Sequence, residues 1–131
     1  MKPSISSIFE NHKIDSYSKD WSSKNIDFQQ NDNDAIIHWV ARNGNSTEMR
    51  VLLEMGASIN IKGDIGRTPL IEASSRNQEK IVLVLLEFGA DTTEVDDYGD
   101  SALDMAEANN NTKIVKILNK IKESASLINS K

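Results

Sequence analysis

The feature that most constrains this chain is a segment that recurs at a fixed offset. Val51-Leu52-Leu53-Glu54-Met55-Gly56-Ala57 returns as Val84-Leu85-Leu86-Glu87-Phe88-Gly89-Ala90, 33 residues later. The same offset carries Thr68 to Ser101 and Ala73 to Ala106. The segment between the two copies reads as one supersecondary unit. Asp64-Ile65-Gly66 is a turn signal, and Thr68-Pro69 starts a helix, because the Thr hydroxyl accepts from a free backbone N–H and Pro fits the first helical position. This helix runs to about Arg76 and stops at Asn77, a residue type that tolerates left-handed backbone. A second, more apolar helix, from about Glu79 to Phe88, ends at Gly89. One such unit cannot bury its apolar face alone, so copies must stack.

A period near 33 with a turn and two helices is the ankyrin signature. Gly66-x-Thr68-Pro69-Leu70-x-x-Ala73 resembles that family's G-x-T-P-L-H-x-A core, and Leu85-Leu86-x-x-Gly89-Ala90-Asp91 resembles its L-L-x-x-G-A-D ending. The resemblance implies an all-α ankyrin-repeat solenoid of stacked helix-turn-helix units with short β-turn fingers. It covers about residues 30–122, as repeats 30–62, 63–95 and 96–122. Residues 1–29 form an N-terminal extension with a short capping helix, and 123–131 a frayed tail.

Composition fits one domain. The 131 residues are 27% charged and 38% apolar, ordinary for a water-exposed globular chain. There is no cysteine, hence no disulfide framework, thiolate metal site or cysteine nucleophile. The N-terminus has no apolar run of a secretory leader, and no stretch reaches the length of a membrane span. A formal charge of −5 opposes generic binding to nucleic acid or anionic membrane. These features point to a cytoplasmic protein. A leaderless route of delivery leaves no mark in sequence, so a secreted effector stays among the readings.

In the extension, Ile5, Ile8, Phe9 and His12 fall at helical spacing after Pro3, while Asp15–Lys24 is polar and reads as a loop around Trp21. The helix either caps the exposed end of the stack or forms a separate peptide-like motif. Asn25-Ile26-Asp27-Phe28 matches the finger strand Ser58-Ile59-Asn60-Ile61. The first repeat departs from the family pattern at Asn33 for the turn Gly, Ala35 for Thr and Ile36 for Pro, but retains His38 and the inter-helix Gly44. The resemblance implies that His38 hydrogen-bonds the neighbouring turn. Trp39 is expected in the core or under the N-terminal cap. In the third repeat Ala102 replaces Pro, Asp104 replaces His, Asn110 takes the Gly position, and Lys113, Lys116, Lys120 and Lys122 coat the last helix. Those are marks of a polar terminal repeat.

Catalytic and metal constellations are missing. The sequence has no Ser-His-Asp set, phosphate-cradling Gly loop or zinc spacing. Asp96-Asp97-Tyr98-Gly99-Asp100 lacks the ligand ladder of a calcium loop, and its carboxylates read as solvated. No enzyme activity, cofactor or metal is expected. The remaining signal is charge: no Lys or Arg occurs from Ile81 through Thr112, whereas Glu87, Asp91, Glu94, Asp96, Asp97, Asp100, Asp104 and Glu107 do. The resemblance implies a concave surface of fingers and first helices. Its partner-binding candidates are Asp32, Asp34, Arg42, Asp64, Ile65, Arg67, Arg76, Asp97, Tyr98, Asp100 and Asn109. Tyr98 in an acidic surround suits an anchor for a basic protein; the bland reading is a solvated face that aids solubility. The expected protein is a monomer on its own that binds another protein. It is either an acidic inhibitor or immunity-type protein masking a basic enzyme or toxin, or an adaptor or effector engaging a host protein.

Overall fold

The computed structural model describes residues 2–11, 26–29 and 33–129, with backbone only for 125–129. His12, the Asp15–Lys24 stretch, Trp21, Asn25, Asn31 and Asp32 lie outside the described residues. Among the described residues seven α-helices follow one another: α1 (Ile5–Asn11), α2 (Ile36–Asn43), α3 (Ser46–Glu54), α4 (Pro69–Ser75), α5 (Glu79–Glu87), α6 (Ala102–Ala108) and α7 (Thr112–Asn129). Among the described residues the only β pairing is an isolated antiparallel bridge, Val95 with Ser101. α2, α4 and α6 pack side by side as an inner layer, and α3, α5 and α7 as an outer one.

Each inner helix starts by a different solution to the same problem, the free N–H groups of its first turn. Thr68 Oγ1 accepts from Ile71 N at 3.3 Å. Ser101 and Asp104 cap each other reciprocally: Ser101 Oγ accepts from Asp104 N at 3.2 Å, and Asp104 Oδ2 from Ser101 N at 2.9 Å, a capping box. Ala35 has no oxygen to offer, and there His38 Nδ1 accepts the Ala35 N–H at 2.9 Å.

Helix ends repeat more uniformly. Gly56, Asn77, Gly89 and Asn110 all have positive φ. In each case the left-handed residue and its successor bond back to the last turn, as in Gly89 N to Leu86 O (3.1 Å) and Ala90 N to Leu85 O (3.0 Å), the Schellman arrangement. Gly44 differs. Its φ of −92° and ψ of −159° are extended, so glycine is present there for space: a Cβ would lie 2.8 Å from both Val40 Cγ1 and Val40 O.

The core runs unbroken from α1 to α7, through Ile8, Ile37, Leu52, Leu70, Leu85 and Ile114. α1 lies against α3, burying Ile8 and Phe9, with Lys2 Nζ 2.9 Å from Glu54 Oε2. Removing residues 1–24 therefore strips two buried side chains from the first repeat. It should lower stability by about 3–6 kcal/mol at roughly 1.5–3 kcal/mol each, read as an earlier urea midpoint; an unchanged midpoint would make the segment a free tail.

The C-terminal end departs from expectation. In place of a frayed tail after 122, α7 continues to Asn129, twice the length of α5. No Gly or well-placed Asn follows Lys120 to turn the chain, and helix-forming Lys, Glu, Ala and Leu fill the extension. α6 is the last inner helix among the described residues. Ile71 and Ser74 of α4 are buried, but their counterparts one period on, Asp104 and Glu107, are exposed.

Candidate functional site: the finger edge and its groove

The fingers are joined from repeat to repeat at fixed positions. Asp27 Oδ1 accepts from Ser58 N at 2.8 Å, and one period later Asn60 Oδ1 accepts from Asp91 N at 2.9 Å. Ile65 O accepts from Asp97 N at 2.8 Å. The inner helices are stitched at their C-terminal ends, where Gln78 Nε2 donates to Arg42 O and Asn109 Nδ2 to Ser75 O, each at 2.9 Å. Asn109, read from sequence as a surface residue, thus also ties α6 to α4.

Behind the fingers runs a chain of alternating charges. Asp34 Oδ2 lies 2.5 Å from Arg42 Nη2, and Arg42 Nη1 donates to Glu72 Oε2. Glu72 Oε1 accepts from Arg67 Nη1 at 3.3 Å, and Arg67 Nε reaches Asp96 Oδ2 at 3.4 Å. Asp34 and Asp96 are 4% and 5% exposed. Each is further held by backbone: Asp34 Oδ1 by Asp64 N, and Asp96 Oδ1 by Tyr98 N and Asp100 N, all at 2.9 Å. The expectation that Asp96 is solvated is thereby corrected. Its carboxylate is the internal acceptor that shapes the third finger, which explains the turn there without a bound ion. Burial alone pulls the Arg42 pKa down, but the hydrogen bond to Asp34 and the charges of Glu72 and Asp34 outweigh it, leaving the pKa raised. Arg42 is a fixed cation, stacked 5.0 Å over the half-buried Trp39 ring.

Of the sequence candidates, Asp34, Arg42 and Arg67 are thus drawn into this internal chain, together with Glu72, which sequence reading missed. Asp64, Arg76, Asp97, Tyr98 and Asn109 are exposed, and Ile65 and Asp100 half-buried. Tyr98 stands out at 75% exposure. Acidic residues sort likewise. Glu87 pairs with Arg50 and Glu94 with Lys62, whereas among the described residues no base lies within ion-pair distance of Asp97, Asp100, Asp104 or Glu107. Asp91 is held ionised to unusually low pH by the Thr93 hydroxyl and backbone N–H.

His38 is fully buried. Its Nδ1 accepts from Ala35 N, so Nε2 carries the hydrogen and donates to Ile61 O at 2.9 Å. Both ring nitrogens are consumed inside the fold, bridging a helix start to the next finger as the resemblance implies.

Helix pairs stacked behind a row of fingers define a repeat-built scaffold. The family model of ankyrin repeats in three copies matches residues 10–96 and again 37–127, and the chain belongs to the ankyrin-repeat family, whose repeats indicate a protein–protein interaction module. Comparison with curated proteins finds no match. No helix among the described residues is long and apolar enough to cross a membrane.

Proposed function

We propose that this protein is a non-enzymatic module that binds a basic patch on another protein through its finger turns and the groove formed by α2, α4 and α6. The observation that carries the reading is the unneutralised finger edge, Asp64, Asp97 and Asp100 around the exposed Tyr98. Carboxylates without internal partners steer a cationic surface into contact, and an aromatic with a polar tip anchors it. Arg76 and Asn109 flank this edge from the groove. The charge-paired residues Asp34, Arg42 and Arg67 hold the groove's shape behind it.

The acidic surface favours one form of this reading, a monomeric cytoplasmic inhibitor that masks a basic enzyme or toxin; an adaptor or delivered effector would use the same edge. Affinity capture from the native lysate at low and high salt tests it. Wild type should retain a basic protein that salt releases, and the Asp97→Lys/Asp100→Lys variant should not. A partner held equally by both forms would place the binding face elsewhere. Loss of the captured enzyme's activity on mixing separates inhibitor from adaptor.

A further inference from the structure

We propose that Glu72 and Asp96 compete for one guanidinium, that of Arg67, and that Arg42, by holding Glu72, decides how firmly the third finger is closed. The inference concerns the shape of that finger and stands whichever partner the fingers meet.

The second and third fingers close differently. In the second, Ile65 takes left-handed backbone (φ 59°) and a backbone bond closes the turn, Arg67 N to Asp64 O at 3.2 Å. In the third, Asp100 N bonds to a side chain instead, Asp96 Oδ1 at 2.9 Å, which also takes Tyr98 N at the same distance. The third finger is thus shaped around a carboxylate, and that carboxylate is buried. A buried carboxylate needs a counter-charge. Among the described residues Arg67 is the only base within ion-pair distance of it.

Arg67 does not serve Asp96 alone. Its Nη1 lies 3.3 Å from Glu72 Oε1 and its Nε 3.4 Å from Asp96 Oδ2, both longer than a full charge-assisted bond of about 2.7–2.9 Å. The guanidinium stands between two buried carboxylates and is bound fully by neither. Arg42 keeps Glu72 from taking more of it, because Arg42 Nη1 occupies the other Glu72 oxygen. Arg42 in turn is anchored 2.5 Å from Asp34. Removing Arg42 releases Glu72 Oε2 to draw the Arg67 fork toward α4 and away from Asp96, whose carboxylate then regains solvation by opening of the finger. Removing the Glu72 charge does the reverse, and Arg67 turns to Asp96. Arg42, in the first repeat, is therefore a positioning residue for Tyr98 and Asp100 in the third.

Amide hydrogen exchange of the full chain, read by NMR at Tyr98 and Asp100, separates this competition from general loosening. Arg42→Met should speed exchange at both amides about threefold, and Glu72→Gln should slow it by a similar factor. Loss of stability alone would speed exchange in both variants. In an Asp96→Asn background, which keeps an acceptor but no charge, both effects should vanish. If Arg42→Met does not fold, Arg42→Lys replaces it, since an ammonium lacks the fork that spans Asp34 and Glu72. Exchange that moves in the same direction in both variants, that moves in only one or in neither, or that still moves in the Asp96→Asn background overturns the proposal.

Discussion

Replacing Arg42 with methionine should cost about 3–5 kcal/mol, the scale for removing one partner from a buried ion pair. The guanidinium is the link between Asp34 in the first finger and Glu72 in α4. Without it Glu72, buried within α4, keeps only a 3.3 Å contact to Arg67, and Asp34 loses its 2.5 Å counter-charge. Because the Arg42 pKa is raised in the fold, its electrostatic contribution is complete below the ordinary arginine range and fades only as pH rises through the folded value. The loss should therefore be the same at any pH near neutrality at which the carboxylates are ionised. Urea denaturation of Arg42→Met, Glu72→Leu and the double variant is the measurement. The double variant should lose less than the sum of the two singles, since the second change removes the charge the first one stranded. Strict additivity would show that the contact contributes nothing as a pair.

His38→Leu is the second large effect, expected at about 2–4 kcal/mol. Leucine fills much of the ring's volume but takes the partner from two backbone groups, the Ala35 N–H and the Ile61 carbonyl, and an unsatisfied buried group costs about 1–3 kcal/mol. The first helix start is exposed to this loss in a way the other two are not, because Thr68 and Ser101 cap their own helices. Hydrogen exchange should show the opening at the start of α2 and around Ile61 before it reaches α6. A variant as stable as wild type would mean that those two groups find other partners.

What the sequence disclosed follows from how each interaction repeats. Caps and stops are local and recur at one offset, so Thr68, Gly56, Gly89, Asn77 and Asn110 were legible at sight. His38 was readable through the family pattern, although its second role, replacing the hydroxyl that Ala35 lacks, emerges only with Nδ1 in place. The charge chain was not legible. Its links join residues that are out of phase with the repeat (Asp34 with Arg42, Arg42 with Glu72, Arg67 with Asp96), and each residue type at those positions reads equally well as surface. Glu72 sits in the middle of a short helix, where a carboxylate ordinarily faces water. Ile65 was recognised as part of a turn, but its left-handed backbone runs against its side-chain chemistry, and no propensity argument places a β-branched residue there. The length of α7 escapes sequence reading because its polar last residues, 123–131, read equally well as a frayed tail.

The two carboxylates on the outer side of α6 set the size of the array. In the second repeat the matching side chains, Ile71 and Ser74, are what the next unit rests on. Any unit arriving beyond α6 would have to desolvate Asp104 and Glu107 without a counter-charge, a cost that contact with ordinary apolar surface does not recover. A unit that is to pack there needs a counter-charge for each of them. Lengthening the stack by design would begin with those two positions and not with the sequence of the unit to be added.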